Sequence, residues 1–388
     1  MAFPHYASNT NRLPSSIPSE DQLKTFITSF VGAYRNHGGK VKNPHPTITK
    51  GVMDTAEAIS QAYYAAGNQA KAVPQMLLVV LTNRNAEIYQ RVKKNCDCKF
   101  GIMSQCVQAG NVQKNSPQYC SNVLMKFNCK LGGTTSTVKH SDKEDKNKGK
   151  RIPLKTDTMI IGADVSHPGP GAPTTSMAAL TMSMDQTCSR YAAAVQSNGY
   201  RVEMLSSANI MEMVPPLLDY WMKNVSNGKL PPHVYYFRDG VSEGQYTALL
   251  KQEVADLKKA MSQAAGGKSP YQPKFTVVVA EKRHHIRFFP SPGPSTSDKN
   301  GNPVPGTIVD RDVTHPFEND VYLCSHAAIQ GTARPTHYTM LMDEMKVSTD
   351  DFQTLLYDHC YGYQRATTPV SLCEFDKCFK NVASANLC

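Results

Sequence analysis

The 388-residue chain has no apolar run longer than Met76–Leu81, far short of the roughly 20 residues that a helix needs to cross a bilayer. Its first stretch, "MAFPHYASNTNRLPSSIPSED", lacks the apolar segment of a secretory leader. A soluble intracellular protein without a membrane partner is therefore expected, cytoplasmic or else nuclear. Cysteine is present, 11 in all, but the number is odd and the spacing scattered, which argues against a disulfide scaffold. The closest pair, Cys96 and Cys98, lacks both the two-residue gap and the second Cys/His pair of a zinc site. Reduced thiols are the expectation. No internal repeat is visible. Acidic residues are in deficit, 32 against 42 basic ones, and the net charge of +10 favours a polyanionic partner such as nucleic acid. Charge says nothing about fold, but the length suffices for two domains with cores of their own.

From about residue 20 to residue 135 the pattern alternates. "TAEAISQAYYAAG" has amphipathic helical spacing, "QMLLVVLT" is a short buried strand, and "EIYQRVKKN" returns to a helix. That order implies a parallel sheet in an α/β domain. The highly charged stretch Gly132 to Arg151 reads as an exposed linker. Beyond it the strand candidates are "TMIIGAD", "SMAALTMSM", "RYAAAV", "HVYYFRD" and "KFTVVVAEK". Helices are expected over "EGQYTALLKQEVADLKKAMSQ" and over "TDDFQTLLYDHCYGYQ", the latter opened by Ser348 with Asp351 three residues on. In "IMEMVPPLLDYWMKNV" the spacing is helical, yet Pro215 and Pro216 should break it unless the helix begins there. The Pro/Gly/Ser-rich stretch Pro290 to Gly306 is expected to be a substrate-facing or flexible loop.

Two strands of the second domain close on an acid. "MIIGAD" is expected to end at Asp164 and "HVYYFRD" at Asp239. At the carboxyl ends of strands in an open α/β sheet, side chains face the crevice where ligands bind, so the two acids can converge. Clustered carboxylates repel, and a cation relieves them. Oxygen ligands of this kind suit Mg²⁺ or Mn²⁺, and paired hard cations support phosphodiester hydrolysis. Spacing alone leaves a turn-capping role for each Asp open.

Four segments, "GADVSHP", "YFRDGVSEGQY", "EKRHHIRFF" and "YLCSHAAIQGTARPTHY", stand in the order in which the eukaryotic Argonaute family carries them. The chain resembles the Mid and Piwi domains of that family. The resemblance implies an α/β architecture: an N-terminal lead-in over 1–20, a Rossmann-like Mid domain over 21–135, a linker over 136–151 and an RNase H-like Piwi domain over 152–388. It also implies that Asp164 and Asp239 are the metal-binding aspartates, with Mg²⁺ or Mn²⁺ as cofactor. The mobile glutamate that swings in to complete the site then falls at Glu203 in "GYRVEML". The fourth catalytic member, a His or Asp, is not found. "TTPVSL" arrives where the family has it, but from about residue 373 the similarity stops, and counting forward places Lys380 at the fourth position. A protonated lysine is no ligand for a divalent metal. His326, in "CSHAAIQG", belongs to a different motif and does not fill the gap. A frameshift, an alternative splice or a gene-model error would account for the abrupt change.

"EIYQRVKK", "SQCVQ" and "SNVLMKFNCKLGG" match the family's pocket for the 5′ phosphate of a guide RNA. The resemblance implies that Tyr89 stacks on the first base and that Lys93, Gln105, Lys126 and Lys130 contact the terminal and neighbouring phosphates. Lys126 and Lys130 are four apart, so on a helix they share a face, and an aromatic ring stacks on any base. The family's missing C-terminal stretch would add an arginine to this pocket. "EKRHHIRFF" offers further basic and aromatic groups for a nucleic-acid backbone, although a structural role for His284 and His285 is open. The family's N-terminal and PAZ regions have no counterpart, so a fragment or reduced copy is expected. The implied partners are a 5′-phosphorylated guide RNA, a target RNA and silencing-complex proteins. A guide-directed endoribonuclease and a guide-binding silencing protein that does not cut both follow from these residues, and an RNase H-like nuclease outside silencing fits them less well.

Overall fold

A computed structural model describes residues 2–3, 17–50, 54–138, 158–171, 174–266, 271–293 and 295–371. Most of the expected linker, and the segment carrying Lys380, lie outside them. Two compact units are present, Met1–Thr135 and Ser136–Ala383.

The first unit is built from β1 (Ala2–Phe3), α1 (Glu20–Asn36), β2 (Thr49–Lys50), α2 (Ala56–Ala70), β3 (Leu77–Leu81), α3 (Ala86–Lys93), β4 (Ser104–Gln108), α4 (Ala109–Lys114) and α5 (Pro117–Lys130). Its four strands pair in the order β2-β1-β3-β4, all parallel. In β3 the two-residue period of a strand assigns side chains to opposite faces. Leu77, Val79 and Leu81 pack with Ile59 and Ala62 of α2, whereas Val80 packs with Phe26 and Phe30 of α1 and Val123 and Leu124 of α5. A sheet apolar on both faces needs helices on both, which is why "LLVVL" reads as a continuous run rather than an alternating one. The helices start on the caps that their sequences supply. Ser19 and Gln22 form a reciprocal capping box before α1, and the Asn85 side chain accepts from the Glu87 and Ile88 amides before α3.

The second unit holds β5 (Thr158–Ser166), β6 (Met177–Ser183), β7 (Tyr191–Ser197), α6 (Ser207–Asn224), β8 (His233–Asp239), α7 (Tyr246–Ala248), α8 (Ala255–Ala264), β9 (Lys274–Glu281), β10 (Thr307–Val309), β11 (Asn319–Cys324), β12 (Thr336–Asp343) and α9 (Thr349–Cys360). Eight strands pair in the order β10-β11-β12-β9-β8-β5-β6-β7. The first three, β5 to β7, form an antiparallel meander, and β8 and β9 then add parallel to β5. Helices α6 and α8 cover one face through Ile210, Leu217, Trp221, Leu257 and Met261, and α9 covers the other through Phe352, Leu355 and Leu356. Ser348 caps α9, its hydroxyl accepting from the Asp351 amide at 3.1 Å.

Three expectations need correction. Strand β5 does not stop at Asp164. It runs on to Ser166, because pairing with antiparallel β6 continues to Ser166 opposite Met177, while the parallel ladder to β8 ends at Ala163 opposite Arg238. Helix α6 passes straight through Pro215 and Pro216. Both prolines forgo a helical hydrogen bond, but Ile210, Met213, Val214, Leu217, Leu218 and Trp221 lie on one buried stripe, and that burial keeps the helix continuous. The region after Asp239 is not one regular α-helix either: a π-helical stretch, Leu249–Val254, lies between α7 and α8. Within the Pro/Gly-rich stretch a short antiparallel bridge joins Ser297 to Pro303, and Asn302 is buried. Among the described residues no helix is long and apolar enough to cross a membrane.

Candidate functional site

The carboxylate cluster begins with strand register. Ile160 lies opposite Tyr235 and Gly162 opposite Phe237, so the next residues of that face, Asp164 and Asp239, come one rung further along two neighbouring strands. Adjacent strands are about 4.8 Å apart, and in-register side chains of parallel strands leave the sheet on the same side. Both acids are half-buried. Asp239 is followed by Gly240, whose φ of +85° belongs to the left-handed region that glycine tolerates. A Cβ on Gly240 would lie 3.0 Å from Glu203 Oε1 and 3.6 Å from Asp164 Oδ1. The glycine therefore opens the hollow in which two carboxylates from different elements meet.

Glu203 lies on the loop between β7 and α6, and two neighbours hold it through three hydrogen bonds. Its Oε2 is 2.8 Å from His167 Nε2, and its Oε1 accepts from Arg238 Nη1 at 3.0 Å. Arg238 Nη2 donates to the Glu203 carbonyl at 2.5 Å. His167 is oriented in turn by Ser176, with Nδ1 to Oγ at 2.8 Å. Arg238 is fully buried and pairs through Nε with the equally buried Glu253 at 3.0 Å. Burial opposes its charge, but Glu253, Tyr236 and Glu203 more than offset that, and its pKa stands above the ordinary guanidinium value. Glu253 also accepts from the Tyr236 hydroxyl and, through Oε2, from the Leu205 amide at 2.8 Å. Each residue of the cluster is thus tied to a different element.

Hard carboxylate oxygens with open space beside them suit a Mg²⁺ ion, which is usually held by one or two carboxylates, waters and substrate phosphates rather than by a closed protein cage. Among the described residues no group of three His, Cys, Asp or Glu side chains forms such a cage. The hollow over Gly240 and the oxygen-only donor set fit the cation. Sequence reasoning missed His167, Arg238 and Glu253. Arg238 carried a signal, since a charge inside the buried run "VYYFRD" requires a buried partner.

The second cluster lies in the first unit. Lys93, at the end of α3, is buried at 7% exposure, and its Nζ donates to the Ser104 carbonyl and hydroxyl, both at 2.8 Å. Lys130, at the end of α5, donates to the same Ser104 carbonyl at 2.5 Å and to Gln105 Oε1 at 3.0 Å. Gln105 is buried as well. Burial raises the pKa of Asp97, and the nearby charges of Lys93 and Lys130 pull it the other way. Two ammonium groups on one neutral oxygen repel each other, and an anion between them would relieve that repulsion. Lys126 shares helix α5 but is exposed and makes no hydrogen bond or ion pair among the described residues. Tyr89 is half-buried against the Val79 and Val92 side of the core. The structure thus brings Lys93, Gln105 and Lys130 together and leaves Lys126 outside their hydrogen-bonded group.

An antiparallel meander extended by two parallel strands, with acids side by side at the ends of adjacent strands, defines an RNase H-like domain, here preceded in the chain by a Rossmann-like α/β unit. The Piwi domain family matches residues 76–385. The chain is 35% identical over 367 residues to the Argonaute protein of Schizosaccharomyces pombe, a match that takes in 94% of this chain and 42% of that one. The C-terminal lobe of a budding yeast Argonaute is similar with a TM-score of 0.77 at 28% identity, covering 100% of this chain and 80% of that structure. Kluyveromyces polysporus Argonaute, solved with a guide RNA, gives a TM-score of 0.79 at 28% identity over 99% of this chain and 46% of that one. The chain belongs to the Argonaute family and carries its Piwi domain. It spans less than half the length of curated relatives, 42% of the Schizosaccharomyces pombe protein and 33% of Argonaute 12 of Oryza sativa.

Proposed function

We propose that the protein acts in small-RNA-guided silencing, holding the 5′ phosphate of a guide RNA in the Lys93, Gln105 and Lys130 cluster and pairing the guide with a target RNA. The observation that carries this reading is the pair of ammonium groups converging on the Ser104 carbonyl. Tyr89 supplies the ring for the first base, and Lys126, exposed on α5, reaches a neighbouring phosphate. Hydrogen bonds from charged donors contribute about 1.5–3 kcal/mol each, so a 5′-phosphorylated RNA is expected to bind at least tenfold more tightly than its 5′-hydroxyl counterpart. Fluorescence anisotropy with the two RNAs measures this, and Lys93→Ala should reduce the difference, with the double substitution Lys93→Ala and Lys130→Ala abolishing it. Equal affinities in the unaltered chain would remove the pocket from the proposal.

In the second unit Asp164 and Asp239 would hold Mg²⁺ or Mn²⁺, with Glu203 beside them. When bound, the cation supplies charge for a phosphodiester's oxygens. Arg238 and His167 fix the Glu203 carboxylate, and Gly240 keeps the hollow clear. Target cleavage is left out of the main reading because the counted fourth position is Lys380, a cation where the chemistry asks for a ligand. Repression then depends on pairing and on silencing-complex proteins recruited to the protein surface. Incubating the guide-loaded chain with a complementary RNA and Mg²⁺ is expected to give no cut product. The Glu203 carboxylate beside Asp164 over Gly240 favours a second reading, a guide-directed endoribonuclease. A product lost in Asp164→Ala would establish that one instead.

A further inference from the structure

The loop that carries Glu203 is built on an asparagine with no spare hydrogen-bonding capacity. A carboxamide has two N–H donors and an oxygen with two lone pairs, four hydrogen bonds at most. Asn198 is 4% exposed and makes all four. Its Nδ2 donates to the Val202 carbonyl at 2.9 Å and to the Met204 carbonyl at 2.8 Å. Its Oδ1 accepts from the Ser206 amide at 3.1 Å and from Asn209 Nδ2 at 3.0 Å. Because two partners are carbonyls and one is a backbone N–H, only this orientation of the amide satisfies the set. The residues immediately before and after Glu203 are thus tied to one buried side chain.

The main chain of the same residue closes a circuit to the carboxylate. Asn198 N donates to the Ser176 carbonyl at 2.7 Å, and Ser176 N donates to the Gly199 carbonyl at 2.6 Å. Ser176 Oγ meets His167 Nδ1, and His167 Nε2 meets Glu203 Oε2, each at 2.8 Å. Between the two tethers the chain passes through Gly199 at φ +78° and Arg201 at φ +54°. A non-glycine residue in that region is strained and persists only where its surroundings hold it. A free loop of this sequence would relax away from the turn, taking Glu203 out of the hollow over Gly240.

We infer that Asn198 is a positioning residue for Glu203, fixing the loop so that the carboxylate stands beside Asp164 in advance of any ligand. This rests on the reading of Asp164, Asp239 and Glu203 as a divalent-cation centre. Asn198 touches neither the cation nor RNA in this scheme and acts only through the Val202 and Met204 carbonyls.

The test uses Mn²⁺ alone, titrated into the 388-residue chain and followed by electron paramagnetic resonance of the free ion. Losing an outer support of a metal site typically weakens binding by 10–100-fold. Asn198→Ala is expected to lower Mn²⁺ affinity at least tenfold. Asn198→Asp keeps an oxygen for the Ser206 amide and Asn209 but loses both donors to the loop, and the same loss is expected of it even though its added negative charge would by itself favour the cation. Should the alanine variant fail to fold, the aspartate variant decides. If the folded variants bind Mn²⁺ within twofold of the unaltered chain while Asp164→Ala does not, the positioning role is wrong and the centre stands. If Asp164→Ala itself binds Mn²⁺ normally, the centre is wrong, and the role of Asn198 falls with it.

Discussion

Arg238→Met is expected to destabilise the second unit by about 3–5 kcal/mol in urea unfolding, the cost of removing one partner from a fully buried ion pair. Arg238 and Glu253 are both inaccessible to solvent, and their contact is 3.0 Å long. In the variant, Glu253 keeps the Tyr236 hydroxyl and the Leu205 amide as donors but loses its counter-charge in the interior. The same substitution takes a hydrogen bond from each end of Glu203, its Oε1 and its carbonyl. Adding Glu253→Gln should recover more than half of the loss, since the amide oxygen can still accept from the Leu205 amide, its NH2 can donate to the Tyr236 hydroxyl oxygen, and no buried charge is left without a partner. The recovery would concern folding alone, because Glu203 would still lack Arg238. Arg238→Met unfolding within 1 kcal/mol of the unaltered chain would show that the pair is solvated in a way its burial denies.

The reach of the sequence was set by the range of the contacts involved. The acids Asp164 and Asp239 were legible as a pair because each follows a run of strand-forming residues, and parallel register does the rest. Where β5 ends was not legible, since that depends on which neighbour keeps pairing after Ala163, a property of β6 rather than of β5. Lys93 shows a different limit. A lysine near the end of an amphipathic helix ordinarily lies in solvent, and only the neighbouring Ser104 carbonyl and hydroxyl explain why this one is buried. The residues that the motifs did not assign, Arg238, Glu253 and Asn198, act through partners on other elements; the charge in "VYYFRD" announces that Arg238 needs a buried partner, but no local pattern says which residue that is. Pro215 and Pro216 mark a conflict of another kind, in which a local rule lost to a buried stripe running the length of α6.

Lowering the pH from 7 to 5 is expected to cost the second unit about 2 kcal/mol through a single side chain, His359. It lies at the end of α9, is 2% exposed, and its Nε2 is buried without a hydrogen-bond partner among the described residues. Burial pushes its pKa from 6.5 down to about 4, and the nearby Asp185 pulls only weakly the other way. A helix C-terminus normally favours a charged histidine, so desolvation outweighs the dipole here. Above pH 6.5 the imidazole is neutral in both the folded and the unfolded chain, and the group adds no pH dependence. As the pH drops below 6.5 the unfolded chain takes up a proton that the folded one refuses until about pH 4. Stability is therefore lost across that window, by about 3 kcal/mol in all, and the loss levels off below it. His284, whose pKa burial also lowers, adds in the same direction, so the measurement has to be a difference. His359→Leu removes the titrating group and leaves an apolar side chain in the same buried place. Urea midpoints of the variant and the unaltered chain should diverge steadily between pH 7 and 5, the variant losing less, and parallel lines would mean that the imidazole is protonated in the fold.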